Sequence, residues 1–263
     1  MDTQERQTGM RAGYIYSAVR LWFIETVRNK MVLLLLFILP ALFYSIAWIT
    51  LSSERIIFIL GSVKGKPVVP VVQEQLGLIF IGLAATGLIA SFLALTMMQR
   101  NTLAKKRLVL CGYRPVELSA AIIIVVLITT LIVSAYIALM ATLFMHPAHI
   151  MGIIWGYILC GYVYGSYGLL IGAILKGELE GILFIVLLAN LDVGWLQNPI
   201  YYSGAQTKAV IEWLPAFFPS QTTMIAAFTD LPAAGPGLAG FFYGTVLLMI
   251  AFAIFWYRIK ITR

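Results

Sequence analysis

Charge is scarce in this 263-residue chain: Asp, Glu, Lys and Arg together make up 11% of it, where a soluble domain carries about 25%. That shortage excludes a disordered tail, a coiled coil and an autonomous catalytic domain, which depend on charge for solvation. Histidine and cysteine are scarcer still, with two of each. Cys111 lies in a basic segment and Cys160 in the middle of an apolar run, so they are expected to be free thiols and not an extracytoplasmic disulfide. His146 and His149 share one short turn with no Cys, Asp or Glu near them in sequence, which reads as a surface turn and not as a zinc site. No histidine falls inside an apolar run to act as a base, and Gly165-Ser166-Tyr167-Gly168 lacks the spacing of a serine elbow. A phosphate loop is missing too. Gly61 to Pro67 (GSVKGKP) has three residues between its glycines where the pattern needs four, and Pro67 stands where Ser or Thr should follow the lysine. The chain is therefore expected not to be an enzyme, and to bind no metal and no nucleotide itself.

What fills the chain is apolar. Hydrophobic residues make up 61% of it and the mean hydropathy is +0.94, whereas soluble proteins are about 45–50% apolar; this excess calls for lipid as the solvent. A hydrocarbon core about 30 Å thick takes about 20 apolar residues of helix. Six runs of that length are present: Met31 to Leu51, Leu76 to Met98, Glu117 to Met145, Ile150 to Leu175, Leu179 to Gln197 and Gly237 to Tyr257. The first carries Pro40, a kink that neighbouring helices can absorb. The third is longer than a bilayer requires and is expected to tilt or extend beyond it. A seventh stretch, Ala209 to Phe228, contains Glu212, Pro215 and Pro219, so it reads as a broken, amphipathic or re-entrant segment at one surface. The expected fold is an all-α polytopic membrane protein with six transmembrane helices, arranged as a cytoplasmic N-terminal segment (1–30) and a six-span domain (31–263).

The net charge of +7 points either to nucleic acid or to membrane orientation, and position decides. With the N-terminus inside, Arg6, Arg11, Arg20, Arg28, Lys30, Arg100, Lys105, Lys106, Arg107, Arg114, Lys176, Arg258, Lys260 and Arg263 are cytoplasmic, fourteen of the 18 basic residues. Arg55, Lys64, Lys66 and Lys208 remain for the outer loops. This asymmetry places both termini in the cytoplasm of a cell carrying the protein in its plasma (inner) membrane, and it leaves no argument for nucleic acid. The N-terminus has no cleavage site of a signal peptide. Along residues 11–30, Ile15, Ala18, Val19, Trp22 and Phe23 fall on one side of a helix and Arg20 and Arg28 on the other, with Leu21 and Ile24 interrupting the polar face. Such a helix lies on the membrane surface or packs on its own protein.

Three features stand out as functional candidates. Gly152, Gly156, Gly161, Gly165, Gly168 and Gly172 recur mostly at three or four residues along the fourth run, a pattern that lets other helices approach closely. Tyr157, Tyr162, Tyr164 and Tyr167 between them offer hydroxyls. Asp192 is the one acidic residue away from the ends of the predicted spans, roughly 20 Å from the inner end of its own, and is either a buried polar contact in a pathway or a carboxylate reaching outer water. Finally, Gln99 to Leu118 (QRNTLAKKRLVLCGYRPVEL) holds five basic residues and one acid, and ends in Gly112 and Pro115. It is longer than a turn requires. It is expected to form a short amphipathic helix able to touch anionic headgroups or to dock into a cleft of a cytosolic subunit.

The order of these features resembles the ABC-2 type permease family, the membrane half of certain ATP-driven exporters. The resemblance rests on an Arg-rich elbow helix before a first span with a central proline (LLLLFILPALF) and on Arg100, Thr102, Leu103, Lys106, Arg107 and Leu108 followed by Arg114-Pro115. It rests also on Lys176-Gly177-Glu178-Leu179-Glu180, and on Glu212-Trp213-Leu214-Pro215 to Pro219 with Gln221 and Ala226-Ala227-Phe228. Asn101 stands where the family has glycine. The resemblance implies a permease subunit of an ABC exporter, with a second permease copy or paralogue and an ATPase subunit as partners, and with ATP and Mg held by that ATPase. It implies coupling to the ATPase through Arg100, Thr102, Lys105, Lys106, Arg107, Lys176, Glu178 and Glu180. It implies a substrate path at the permease interface lined by Phe43, Tyr44, Trp48, Met97, Asn190 and Asp192. The other function the residues allow is a membrane anchor or assembly factor that recruits a soluble partner through the same basic loop and moves nothing.

Overall fold

The computed structural model describes residues 2–28, 30–63, 67–99, 107–175 and 177–261. Helices dominate. In chain order they are α1 (Asp2–Arg28), α2 (Lys30–Thr50), α3 (Gln73–Gln99), α4 (Pro115–Phe144), α5 (Ile150–Ile174), α6 (Glu178–Ala189), a π-helical segment (Asn190–Leu196), α7 (Pro199–Gly204), α8 (Lys208–Glu212), α9 (Phe217–Phe228) and α10 (Ala234–Ile261). Five stretches are long and apolar enough to cross a membrane: α3, α4, α5, α10 and the combined Glu178–Leu196, while the described apolar part of α2 is the shorter Leu36–Thr50. The protein is membrane-embedded and polytopic. Pro40 lies inside α2, and the expected break between residues 209 and 228 is a turn between α8 and α9.

Burial ranks these helices. In α3 and α5, 72% of the most apolar window is buried inside the protein, against 28% for Glu178–Leu196 and 17% for α10. The two central helices pack on each other, and the remainder surround them. The glycines of α5 are distributed over several neighbours. A β-carbon at Gly168 would meet the backbone of Ser91 on α3, one at Gly165 would meet Val126 on α4, and one at Gly152 or Gly156 would meet Ala226 or Thr223 on α9.

One element is not helical. Arg55–Ile59 (β1) pairs antiparallel with Val68–Val72 (β2), with Arg55 opposite Val72 and Ile59 opposite Val68. The isoleucines and valines of both runs favour extended backbone, and the Leu60 amide donates to the Pro67 carbonyl at 3.1 Å. Phe58 and Val71 turn into the core while Ile57 and Val68 face out. Five-residue strands are far too short for a span, which is why hydropathy reads this stretch as loop.

The two ends of the bundle differ. At one end the hairpin, the 145–149 turn and helices α7 to α9 form a cap: Ser62 donates to Gln221 Oε1, the Ala148 amide donates to the Ala227 carbonyl at 3.1 Å, and the rings of Phe58 and Phe228 meet edge to face. At the opposite, basic end α1 packs on the first turns of α4, burying Ala18 and Trp22 against Leu118, Ala121 and Ile122. Tyr14 of α1 meets Tyr113 edge to face. So the apolar stripe of α1 is covered by its own protein, while Arg20, Arg28, Leu21, Ile24 and Val27 are exposed.

Residues 107–110 form one helical turn that ends at Gly112. The Tyr113 amide donates to Leu108 O and the Gly112 amide to Val109 O, both at 3.1 Å, the paired closure that needs a left-handed residue; Gly112 supplies it with φ of +98°. Pro115 then opens α4 at a position where its missing N–H is harmless, and the Glu117 carboxylate accepts from the Arg114 amide at 2.9 Å, half of a capping box.

Candidate functional site

Asp192 is the best-defined candidate. It has no solvent exposure, and both carboxylate oxygens are used. Oδ2 accepts from the Tyr164 hydroxyl at 2.7 Å and from the Ala216 amide at 2.8 Å, and Oδ1 accepts from Gln197 Nε2 at 2.9 Å. Of the two places the sequence left open, this one is away from water. Four parts of the chain build it. Tyr164 comes from α5, where Gly87 of the facing α3 leaves room for its ring: a β-carbon there would stand 3.1 Å from the ring atoms. Asp192 and Gln197 come from the π-helical segment and its end, and Ala216 from the turn before α9.

The π register is what joins Asp192 to Gln197. The Gln197 amide donates to the Asp192 carbonyl at 2.9 Å, a bond five residues long, which is the π repeat. In an α-helix five residues turn by 500°, leaving side chains roughly 140° apart; the wider π turn brings them to one side. Gln197 Nε2 also donates to the Ile211 carbonyl at 3.1 Å. The acid and the amide thus hold the α8–α9 turn at both ends, at Ile211 and at Ala216. Pro215 has no N–H to give, so Ala216 offers the first free amide at the N-terminus of α9, where the unpaired donors and the helix dipole favour negative charge.

The other side of this turn lines an open cleft of about 470 Å³, bordered by Ser62, Glu212, Trp213, Phe217 and Tyr243. Tyr243 donates to the Trp213 carbonyl at 2.9 Å, and Tyr202 donates to Glu212 Oε1 at 2.9 Å. Burial, and then that carboxylate, hold the Tyr202 phenol above the usual tyrosine range. The Trp213–Ala216 turn therefore separates an open cleft from a buried acid.

A second buried polar group lies on the same face of α5. The hydroxyls of Tyr44 and Tyr157 are 3.2 Å apart, in a space that a β-carbon at Gly82 would occupy. Between this pair and Tyr164, Cys160 donates to the Leu83 carbonyl at 3.4 Å. Tyr162 points elsewhere, sharing a 2.8 Å hydrogen bond with Thr245 on α10. Cys160 is buried and Cys111 exposed, and both are free.

The six residues named for a pathway fall on different faces of the chain. Tyr44, Met97 and Asp192 are buried; Phe43 and Trp48 lie on the exposed face of α2, and Asn190 on the exposed face of the π-helical segment. Among the coupling candidates, Arg100, Thr102, Lys105, Lys106 and Lys176 lie outside the described residues. Arg107 is exposed, and Glu178 and Glu180 occupy the first turn of α6. No group of three or more potential metal ligands occurs among the described residues. Sequence proximity missed one partner: His149 meets Asp230 at 3.0 Å, because α9 returns its far end to the start of α5. Asp192 was visible as a lone acid in an apolar run, whereas nothing in sequence marked Tyr164 or Ala216 as its donors. A comparison with protein-family models matches none of them to this chain, and a comparison with curated proteins likewise finds no match.

Proposed function

We propose that the chain is the permease subunit of an ATP-driven exporter, crossing the membrane six times with both termini cytoplasmic and drawing on ATP hydrolysed by a separate subunit. The observation that carries this reading is at the basic end of the bundle. Gln99 Nε2, at the end of α3, donates to the Leu175 carbonyl, at the end of α5, at 3.0 Å. The chain leaves those two residues into the segments 100–107 and 176–180, so the two stretches proposed to contact the ATPase start side by side on the two most buried of the long apolar helices. A push on either segment is then applied directly to the bundle core. Packing of α1 beside Tyr113 at this same end adds a third cytoplasmic element to the proposed docking face. The exposed apolar faces of α2 (Phe43, Trp48) and α6 (Leu183, Leu187) are available to a second permease copy.

The reading is tested by purifying the protein with the ATPase subunit it recruits. A variant with Lys105, Lys106 and Arg107 changed to Glu is expected to lose the ATPase or to lose the response of ATP hydrolysis to the permease. Intact assembly and intact coupling in that variant would overturn the docking assignment. A recruited partner whose hydrolysis never responds to this protein would favour the anchor function.

A further inference from the structure

We propose that Asp192 is a proton-operated lock on the Trp213–Ala216 turn: ionised, it holds the turn closed over the bundle core, and protonated, it releases it. The inference needs only the fold and is independent of the transport reading.

The geometry makes the carboxylate the joint of this region. It ties the turn to the π-helical segment directly, through the Ala216 amide, and indirectly, through Gln197, which reaches the Ile211 carbonyl. All three groups that bond it are donors. No cation among the described residues pairs with it: His149 pairs with Asp230, and Lys208 sits over the Tyr202 ring, 5.4 Å from its centre. Among the described residues the charge is balanced by the dipoles of Tyr164, Gln197 and the start of α9.

A proton changes the chemistry of this joint without changing its shape. An ionised carboxylate only accepts, whereas a protonated one must also donate and loses acceptor capacity. The Tyr164 hydroxyl can rotate to accept instead. The Ala216 amide and the Gln197 amino group, which carry the two ties to the turn, can only donate. A proton on Oδ2 competes with Ala216 and one on Oδ1 with Gln197, so either position weakens a tie to the turn, while the bond to Tyr164 on α5 persists by reversing its direction. The cleft beyond the turn is where the proton would arrive and where the freed turn would move.

The titratable groups around the acid are Tyr164, Cys160 and Tyr167 on α5 and Tyr243 on α10, all within electrostatic reach of it. Glu212, on α8 beside the turn, faces Tyr202 and the cleft. On the α3 side Gly87 faces Tyr164, and Ala189 and Val193 pack with Leu83.

Backbone amide exchange, measured on the full chain in lipid nanodiscs and corrected for the intrinsic pH dependence of exchange, tests the lock. Residues 213–217 of the unmodified protein are expected to be protected at pH 8 and to lose about tenfold or more in protection by pH 5, the loss of one charge-assisted hydrogen bond, while α3 and α5 stay protected. Asp192→Asn is expected to have the low protection already at pH 8 and to respond no further. Glu212→Gln and His149→Gln are expected to keep the response. Should Asp192→Asn fail to fold, Gln197→Ala cuts one tie alone and is expected to lower protection of the turn at pH 8. The proposal is overturned by protection that is flat with pH in the unmodified protein, by normal protection in both Asp192→Asn and Gln197→Ala, or by loss of the response in Glu212→Gln or His149→Gln.

Discussion

A single methyl group distinguishes the glycines of α5 by what they face. At Gly168 an added β-carbon would lie 2.7 Å from the Ser91 Cα and against its carbonyl, and backbone in the middle of a buried helix has nowhere to go. At Gly165 the nearest atom is the tip of Val126 at 3.2 Å, which a small rotation relieves. Gly168→Ala is therefore expected to destabilise the protein by about 1–3 kcal/mol, the usual effect of overpacking, and Gly165→Ala by clearly less. Thermal unfolding in detergent checks the order of the two. Equal midpoints would mean that the α3–α5 contact is looser than these distances. Only the spacing of these glycines is visible in sequence; which of them faces a backbone and which a flexible side chain depends on the partner helix.

At the scale of elements, α4 begins with a device that sequence displays almost completely: Gly112, Arg114-Pro115 and Glu117 stand in the order of a helix stop followed by a helix start. Glu117 is nearly buried, and its carboxylate accepts from the Arg114 amide. Glu117→Ala is expected to cost about 0.5–2 kcal/mol, the range for losing an N-terminal cap, and to raise amide exchange in the first turn of α4 before any other part of that helix. Uniform exchange along α4 would contradict this local role. The hairpin shows the opposite case. Its strands contain ordinary β-formers, but their pairing was legible only once Phe58 and Val71 were seen to share the core under the cap. The π-helical segment was equally hidden, because hydropathy follows apolar content and is blind to whether the backbone turns every four residues or every five.

For the whole molecule, the polarity between a capped end and a basic end yields a test of orientation. Cys111 is exposed at the basic end, and Ser53 is exposed just before the hairpin. With the capped end outward, a membrane-impermeant maleimide applied to intact cells is expected to leave Cys111 unlabelled and to label a Ser53→Cys, Cys111→Ser variant. The reverse pattern would invert the orientation and move the proposed docking segments to the outer face. Charge counting along the sequence predicts this polarity, because translocating basic residues across the membrane is costly.

The sequence by itself determined the apolar helices and their approximate limits, since each helix in lipid must satisfy its own backbone and so must be written as one continuous apolar run. It also marked Asp192 as an acid out of place. Only the tertiary structure decided what that acid does. Its donors Tyr164 and Ala216 are 28 and 24 residues away, and its alignment with Gln197 exists only in a π turn. Side-chain polar pairs in a membrane bundle are chosen by which helices happen to meet, a property of the packed whole that no local run of residues contains.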